Sequence, residues 1–551
     1  MTLGRHNPVR TILMAALMAT SLASFGAGTG TSLIPNGDFE PGQNGSAADV
    51  WKGENLSVEK EEDGNHFLRL KSPEPGKMVM VYIPVAIAPG TKALEVSYRA
   101  RSEGIKVGKQ SWFDGRIILN FKDAQKKIVG SPNPPTFQGT RKDWKTGSMK
   151  LLVPAGAVTL EVMPSLFQVA AGTLDLDDLR VTAMSDADAE AMIAAIAAAA
   201  KKKAEQAALV ALDLALPPVT PELKVAGTQV VTADVKALWL QGLSVDSMQW
   251  GTGDNILWSM RVAVNDWHAN VIRLAVHDTF WFGRGKGQAP GTEEAYRKSV
   301  DQAVQFAAAK GIYLVLDLHQ FGAPMPEHVE FWKSAAARYK NNPAVLFELF
   351  NEPHGISWQV WRDGGNLKSP ENKSTDVNPT ENTEKQAGEN SVGMQAMVDA
   401  VRATGAKNIL VIGALDWAYD LTGIVNGYAL DDRGGNGIMY VSHIYPWKSG
   451  WQEKVLVAAA KHPVIITEVG CPADYSGFQF IPPPQQYPLD GWAEDVIAFM
   501  QTNKLHWTGF SFHPRCGPQI ILDWDYNPTP YWGVYVKAAL GGKTFELKKM
   551  R

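Results

Sequence analysis

The sequence predicts an α/β protein: an eight-stranded (β/α)8 barrel with a β-sandwich in front of it and an Ala-rich helical linker between them. Three observations carry this. From about Val231 onward, apolar strand-like runs alternate with helical patterns, the signature of βα units and a parallel sheet. From Thr31 to about Ala183 the chain has short runs alternating at period two, broken by frequent Gly and Pro, as in a sandwich. Asp186 to about Ala215 is dominated by Ala, with Lys201, Lys202, Lys203 and Glu205 keeping it soluble.

Composition excludes several classes. The 551 residues are 45% hydrophobic and 20% charged, enough for two or three domains. A net charge of −4 leaves no footprint for nucleic acid. The two cysteines, Cys471 and Cys516, and the histidines show no metal-binding spacing. Most of the 18 Trp are expected in the core, and some as stacking platforms for sugar rings.

Residues 1–27 read as a secretory signal. Arg5, His6 and Arg10 precede an apolar run from Thr11 to about Ala27 that ends in small residues. A secreted or periplasmic location follows as the expectation. No cysteine near the cleavage region suggests a lipid anchor, and no later run is long enough to span a bilayer. No membrane partner is expected after signal removal, and the chain is expected to be a monomer.

The sandwich is expected over residues 31–183, with strands at Val79–Ile83, Ala93–Tyr98, Arg116–Phe121 and Ala157–Val162. Its ends, Leu33-Ile-Pro-Asn-Gly-Asp-Phe39-Glu and Leu174-Asp-Leu-Asp-Asp-Leu-Arg-Val181, resemble those of jelly-roll carbohydrate-binding modules. In such modules acidic residues near both ends hold a structural Ca²⁺. Glu40, Asp177 and Asp178 are hard oxygen donors able to do so, and a solvated sandwich edge is the alternative. Trp51, Trp112 and Trp144 are candidate platforms or core residues. The linker, residues 185–218, is expected as a helix capped by Ser185 or Asp186 and ended by Pro217-Pro218.

The barrel is expected over residues 231–541. Its strands are Ala237–Leu243, Val271–Val276, Ile312–His319, Val345–Asn351, Asn408–Ile412, Ile438–Tyr445, Val464–Glu468 and Thr508–His513. Helices are expected at Glu293–Lys310, Glu327–Tyr339, Met394–Thr404 and Gly491–Asn503. A polar insertion from Trp358 to about Ser391 follows the fourth strand and should rise over the active face.

Two strand ends stand out. Val345-Leu-Phe-Glu-Leu-Phe ends in Asn351-Glu352-Pro353, and Val464-Ile-Ile-Thr ends in Glu468. Pro353 disfavours extension of the strand, so Asn351 and Glu352 belong at its C-terminal tip. In a parallel barrel that is where chemistry is placed. Two carboxylates on two tips suit a paired acid and nucleophile. Glu348 and Asp317, on the inward parity, read as buried and hydrogen-bonded. His268, His277, His462 and His506 fit no motif.

With these pieces in order, residues 231–541 resemble glycoside hydrolase family 5, the cellulase type. The matching residues are Val271-Ile-Arg273-Leu, Gly311 to His319, Asn351-Glu352-Pro353, His443-Ile-Tyr445 and Thr467-Glu468. The resemblance implies a retaining β-glycosidase with Glu352 as general acid/base and Glu468 as nucleophile. Glu352 must start protonated, which calls for a raised pKa. It further implies that Arg273 holds Glu468 ionised, that Tyr445 touches Glu468, and that His443 lies by Glu352. Asn351 would bind the sugar 2-hydroxyl, and His319 would line the reacting subsite. Cellulose-type β-1,4-glucan leads as substrate, with β-mannan, xyloglucan, a small glycoside or glycolipid, and a non-catalytic carbohydrate-binding role as alternatives. No cofactor is implied beyond the structural Ca²⁺.

The family's strand-eight Trp is missing from Trp507-Thr-Gly-Phe-Ser-Phe-His513, so Phe510, Phe512, His513 or Trp524 is expected in its place. Trp281, Trp417 and Trp447 follow strands two, five and six as candidate platforms. Cys471 and Cys516 follow neighbouring strands seven and eight, and a disulfide is expected between them.

Overall fold

The computed structural model describes residues 30–41, 51–369, 371–374 and 390–551. The expected signal segment, 1–27, lies outside them. The chain divides into two compact units, Met1–Ala204 and Glu205–Arg551.

The first unit holds two antiparallel sheets. One orders the strands Leu56–Lys60, His66–Lys71, Ala171–Ala183, Ala93–Lys106 and Gly139–Leu152; the other is centred on Thr159–Leu166 and Gly115–Lys122. Gly115–Lys122 alternates buried and half-buried residues along its length, so Ile117, Leu119 and Phe121 enter a core shared with Leu68, Leu70, Val96, Leu160 and Leu176. Trp51 is core, not a platform: its indole packs edge-on against Phe39. Trp144 lies under the guanidinium groups of Arg99 and Arg101, at 5.0 and 4.5 Å. Trp112 alone of the three is exposed, at 54%.

The helix Asp186–Leu214 is capped by Ser185, whose Oγ accepts from the Asp188 N–H at 3.1 Å.

In the second unit eight parallel strands close into a barrel. They are Gln241–Val245 (β1), Val271–Val276 (β2), Tyr313–Leu318 (β3), Val345–Glu348 (β4), Leu410–Gly413 (β5), Ile438–Ile444 (β6), Val464–Val469 (β7) and His506–Gly509 (β8). Every residue of β2, β3, β6 and β7 is buried, because helices cover the outside and side chains fill the inside. Helices Glu293–Lys310, Pro326–Tyr339, Gly393–Ala403 and Trp492–Thr502 stand where the periodicity puts them.

Three boundaries differ from expectation. Ala237–Leu238 leaves the barrel and joins a small sheet with Leu223–Ala226 and Gln229–Thr232. The switch occurs where the Leu240 N–H is donated to His506 Nδ1 at 2.9 Å. Leu223 and Val230 of that sheet pack against Val271, Val315 and Met439 at the base of the barrel. β4 ends at Glu348; Glu352–Pro353 pairs instead with Phe321–Gly322. β8 ends at Gly509, although the Phe510 N–H still reaches Val469 O at 2.9 Å and the Phe512 N–H reaches Ser244 O at 2.8 Å. Of the insertion after β4, helix Trp358–Asp363 and the short strands Gly365–Asn366 and Asn390–Ser391 are seen. Residues 370 and 375–389 lie outside the described residues.

The expected disulfide is absent: Cys471 and Cys516 are free thiols. Cys471 is buried with its Sγ donating to Pro472 O at 3.7 Å, on the side that carries Glu494 and Arg551. Cys516 feels Asp246 and Glu468 instead. The two thiols therefore face different surroundings although their strands are neighbours. Burial pushes Cys471 up to about 12, so it stays an unreactive thiol.

Candidate active site

Side chains from β3, β4, β7 and the turn after β4 converge on one guanidinium. Arg273, from β2, is fully buried. Its Nε donates to Glu348 Oε2 at 2.6 Å and its Nη1 to Glu468 Oε1 at 2.7 Å. Its Nη2 reaches Asn351 Oδ1 at 2.7 Å, Asp317 Oδ2 at 3.0 Å and Glu348 Oε1 at 3.2 Å. A buried cation needs this many partners, since desolvating it alone would cost several kcal/mol. Glu348 and Asp317 are thus buried and bonded, as their parity suggests.

Glu468 is the better-tethered of the two candidate carboxylates. Besides Arg273, it accepts from the Tyr445 hydroxyl through Oε2 at 2.5 Å. Burial pushes its carboxyl up, but His443, Arg273, His319 and the Tyr445 bond outweigh burial and hold it at about 2. Glu352 is more open, and its Oε1 meets His443 Nδ1 at 3.0 Å. One oxygen of Glu352, a ring nitrogen of His443 and one oxygen of Glu468 lie within 4.8 Å of one another. Among the described residues no other group of three His, Cys, Asp or Glu approaches a metal-binding arrangement. This one is closed by internal bonds: both ring nitrogens of His443 are engaged, by Glu352 and by Thr467 Oγ at 2.9 Å.

A cavity of about 360 Å³ opens over this cluster. His319, Asn351, Glu352, Tyr445 and Glu468 form its polar part, with Trp417, Trp447 and Phe510 among its walls. His319 bonds Asp317 through Nδ1 at 2.7 Å. Burial pushes its ring down, yet Asp317 outweighs this and keeps it raised. Asn351 Nδ2 is buried without a protein partner, a donor that a substrate hydroxyl would satisfy.

The aromatic expectations divide. Trp447 lies parallel to Tyr445 with ring centroids 4.8 Å apart, and Trp417 lies on His354 at 3.5 Å. Trp417 sits in a left-handed turn, with φ 55°, 60° and 55° at Asp416, Trp417 and Ala418. Lys448 pins that turn through Asp416 O at 2.8 Å and Asp416 Oδ1 at 3.0 Å. Trp281 is no platform: it is fully buried and bonds Ser334, because its short helix, Asp278–Trp281, turns it into the core beside Phe331. Of the strand-eight candidates, Phe510 lines the cavity. Phe512 packs in the core on Trp267, while His513 and Trp524 contact each other.

Sequence reasoning missed Phe321, Phe478, Phe480, Ile481 and Lys448 in the lining. The one available signal was Phe478-Gln-Phe480-Ile481 ahead of three prolines in the loop after β7.

The expected Ca²⁺ ligands are engaged by N–H donors. Glu40 accepts from the His66 N–H at 2.8 Å, Asp177 from Asn65 Nδ2 at 3.1 Å and Asp178 from Arg180 at 3.0 Å.

Comparison with known proteins adds to this geometry. The endoglucanase of Clostridium saccharobutylicum is 23% identical over 337 residues, 58% of this chain and 65% of that protein. Cellulase CelDZ1 of a Thermoanaerobacterium species is 25% identical, over 55% of this chain and 76% of that protein. Endoglucanase E-5 of Thermobifida fusca is 22% identical, over 53% of this chain and 55% of that protein. The chain thus spans less than two thirds of the length of the first and third of these relatives. Among solved structures, β-glucanase SdGluc5_26A of Saccharophagus degradans has 24% identity and a TM-score of 0.45, over 58% of this chain and 93% of that one. The family model for cellulase (glycosyl hydrolase family 5) matches residues 231–515, more than half of the chain and all eight strands of the barrel that carries the cluster. The chain belongs to glycosyl hydrolase family 5.

Proposed function

We propose that the chain is a retaining β-glycanase acting within β-1,4-linked glucan, with Glu468 as nucleophile and Glu352 as general acid/base. The observation that carries this is the approach of the Glu352 and Glu468 carboxylate oxygens to within 4.8 Å. Retaining glycosidases hold their carboxyl groups about 5–5.5 Å apart, inverting ones about 6.5–9.5 Å. The shorter spacing leaves no room for a water between nucleophile and sugar.

The two environments fit two roles. Glu468 faces Arg273 and Tyr445 and stays ionised. It attacks the anomeric carbon; the glycosidic C–O bond breaks, and the Glu352 proton passes to the leaving oxygen. Water then attacks the glycosyl ester, gives its proton to Glu352, and Glu468 departs as a carboxylate. Asn351 Nδ2, free of protein partners, suits the sugar 2-hydroxyl, a contact that strengthens as the transition state gains oxocarbenium character. Trp417, Trp447 and Phe510 supply faces on which sugar rings stack.

The named relatives, endoglucanases and a cellulase, support glucan as the substrate and cleavage within the chain. Reducing-sugar release should be measured on carboxymethylcellulose, mixed-linkage β-glucan, xyloglucan and β-mannan. Release from the β-1,4-glucans with a rapid fall in viscosity is expected. Release from mannan alone would redirect the substrate, and silence on all four would reject the reading.

A further inference from the structure

The reading of Glu352 as acid/base leaves open what keeps its proton in place, and two residues outside the cavity lining bear on this. Glu348 and Thr467 are fully buried and do not line the cavity. Thr467 Oγ donates to Glu348 Oε1 at 2.7 Å and meets His443 Nε2 at 2.9 Å. Glu348 accepts from Arg273 through both oxygens, at 2.6 and 3.2 Å. Burial pushes the Glu348 carboxyl up, but Arg273 and His443 outweigh it and hold it ionised.

The proton count then follows. An ionised Glu348 has no proton to give, so Thr467 must donate to it. A hydroxyl has one proton, so Thr467 Oγ can only accept from His443, and Nε2 must carry a hydrogen. The remaining nitrogen, Nδ1, faces Glu352 Oε1 at 3.0 Å. We propose that Glu348 and Thr467 are positioning residues that fix the Nε2 proton of His443, so that Nδ1 and Glu352 share a single proton, the one delivered to the leaving group. If the ring were free to hold its proton on Nδ1 instead, a neutral His443 would oblige Glu352 to be an ionised acceptor, and the acid would be lost. The logic is that of a buried carboxylate fixing the tautomer of a catalytic imidazole, with a hydroxyl interposed.

The charges around His443 agree with this. Glu352, Glu468 and Glu348 approach it at 3.0, 3.8 and 3.9 Å, and Arg273 lies beyond, between Glu348 and Glu468. Burial pushes the ring down, but these carboxylates raise it to about 9, so the shared proton persists through neutral pH.

This rests on Glu352 being the acid/base, and the test separates the two ideas. In the full chain labelled with ¹⁵N-histidine, the His443 signal is assigned by its loss in His443→Gln. Nε2 is expected to stay protonated at every pH where the protein is folded, while Nδ1 alone titrates. A neutral His443 protonated on Nδ1 would overturn the proposal, whatever the substrate. The kinetic arm compares kcat/KM for cellotetraose, a poor leaving group, with 2,4-dinitrophenyl β-cellobioside, which needs no acid. Thr467→Val is expected to lose at least about tenfold more on cellotetraose than on the aryl glycoside, and its basic limb should move to lower pH. Thr467→Ser, which keeps the hydroxyl, should restore both. Equal losses of Thr467→Val on the two substrates would sink the proposal. Glu352→Gln serves as the control: if it shows no preference for the aryl glycoside, the acid/base assignment itself fails.

Discussion

Tyr445 and Glu468 join the cavity's aromatic wall to its candidate nucleophile. The Tyr445 hydroxyl donates to Glu468 Oε2 at 2.5 Å while its ring lies parallel to Trp447, with centroids 4.8 Å apart and 2° between the planes. The stack fixes the ring, and the ring aims the hydroxyl. Tyr445→Phe should keep the stack and lose the bond. A hydrogen bond to a charged group contributes about 1.5–3 kcal/mol, so kcat/KM should fall by about ten- to a hundredfold. Because that bond helps hold Glu468 low, the acidic limb of the pH profile should move to higher pH. An unchanged limb would show that the hydroxyl does not act on Glu468.

Arg273 pairs with Asp317, Glu348 and Glu468 in the barrel interior. Arg273→Met would leave these charges buried without it. Removing one partner of such a network costs about 3–5 kcal/mol. Denaturant unfolding should show a loss of that order, larger than for Arg284→Met, whose ion pair with Glu330 is exposed. Equal losses would mean that the cluster is not a source of stability.

Stability should be lost at both pH extremes for different reasons. Glu468 is held at about 2 against 4.5 for a free Glu, so its contribution is complete above 4.5 and is lost as pH falls through about 2. His443 is raised to about 9 from 6.5, so its contribution is complete below 6.5 and is lost as pH rises through about 9. Asp317 runs against Glu468: burial raises it to about 6 despite Arg273, so its contribution makes stability fall as pH rises from 3.8 to 6. Thermal midpoints from pH 3 to 10 should therefore decline as pH rises from about 6.5 to about 9. His443→Gln should flatten that decline, and persistence of the full decline would place its cause elsewhere.

Lys448 holds the left-handed turn that presents Trp417. Positive φ at a non-glycine residue persists only when its surroundings enforce it. Lys448→Met should loosen the turn and raise KM about three- to tenfold, the scale of one aromatic contact, with kcat less affected. A fall in kcat at constant KM would argue that Lys448 acts on the chemistry instead.

What the sequence made legible follows a physical division. Parallel strands are buried on both faces, so β2, β3, β6 and β7 read as apolar runs, and a polar residue at the tip of such a run is conspicuous. Glu352 and Glu468 were visible for that reason, and Arg273 for being charged within one. The turn chemistry beyond the tips was not legible. Nothing local shows that β4 stops at Glu348, or that Ala237–Leu238 pairs with a different sheet, because both depend on partners far away in the chain. The aromatic lining divides similarly: Trp281 and Trp417 both follow strand ends, and only the backbone beyond decides that Trp281 turns into the core while Trp417 faces the cavity. The free thiols carry the same lesson, since strand adjacency does not fix where each Sγ points.

The anomer first released from a β-1,4-linked oligosaccharide tests the roles of Glu352 and Glu468 most directly. Followed by ¹H NMR before mutarotation, the unaltered enzyme should release the β-anomer first, because two displacements at the anomeric carbon restore its configuration. First appearance of the α-anomer would mean a single displacement by water, and Glu468 could not then be the nucleophile.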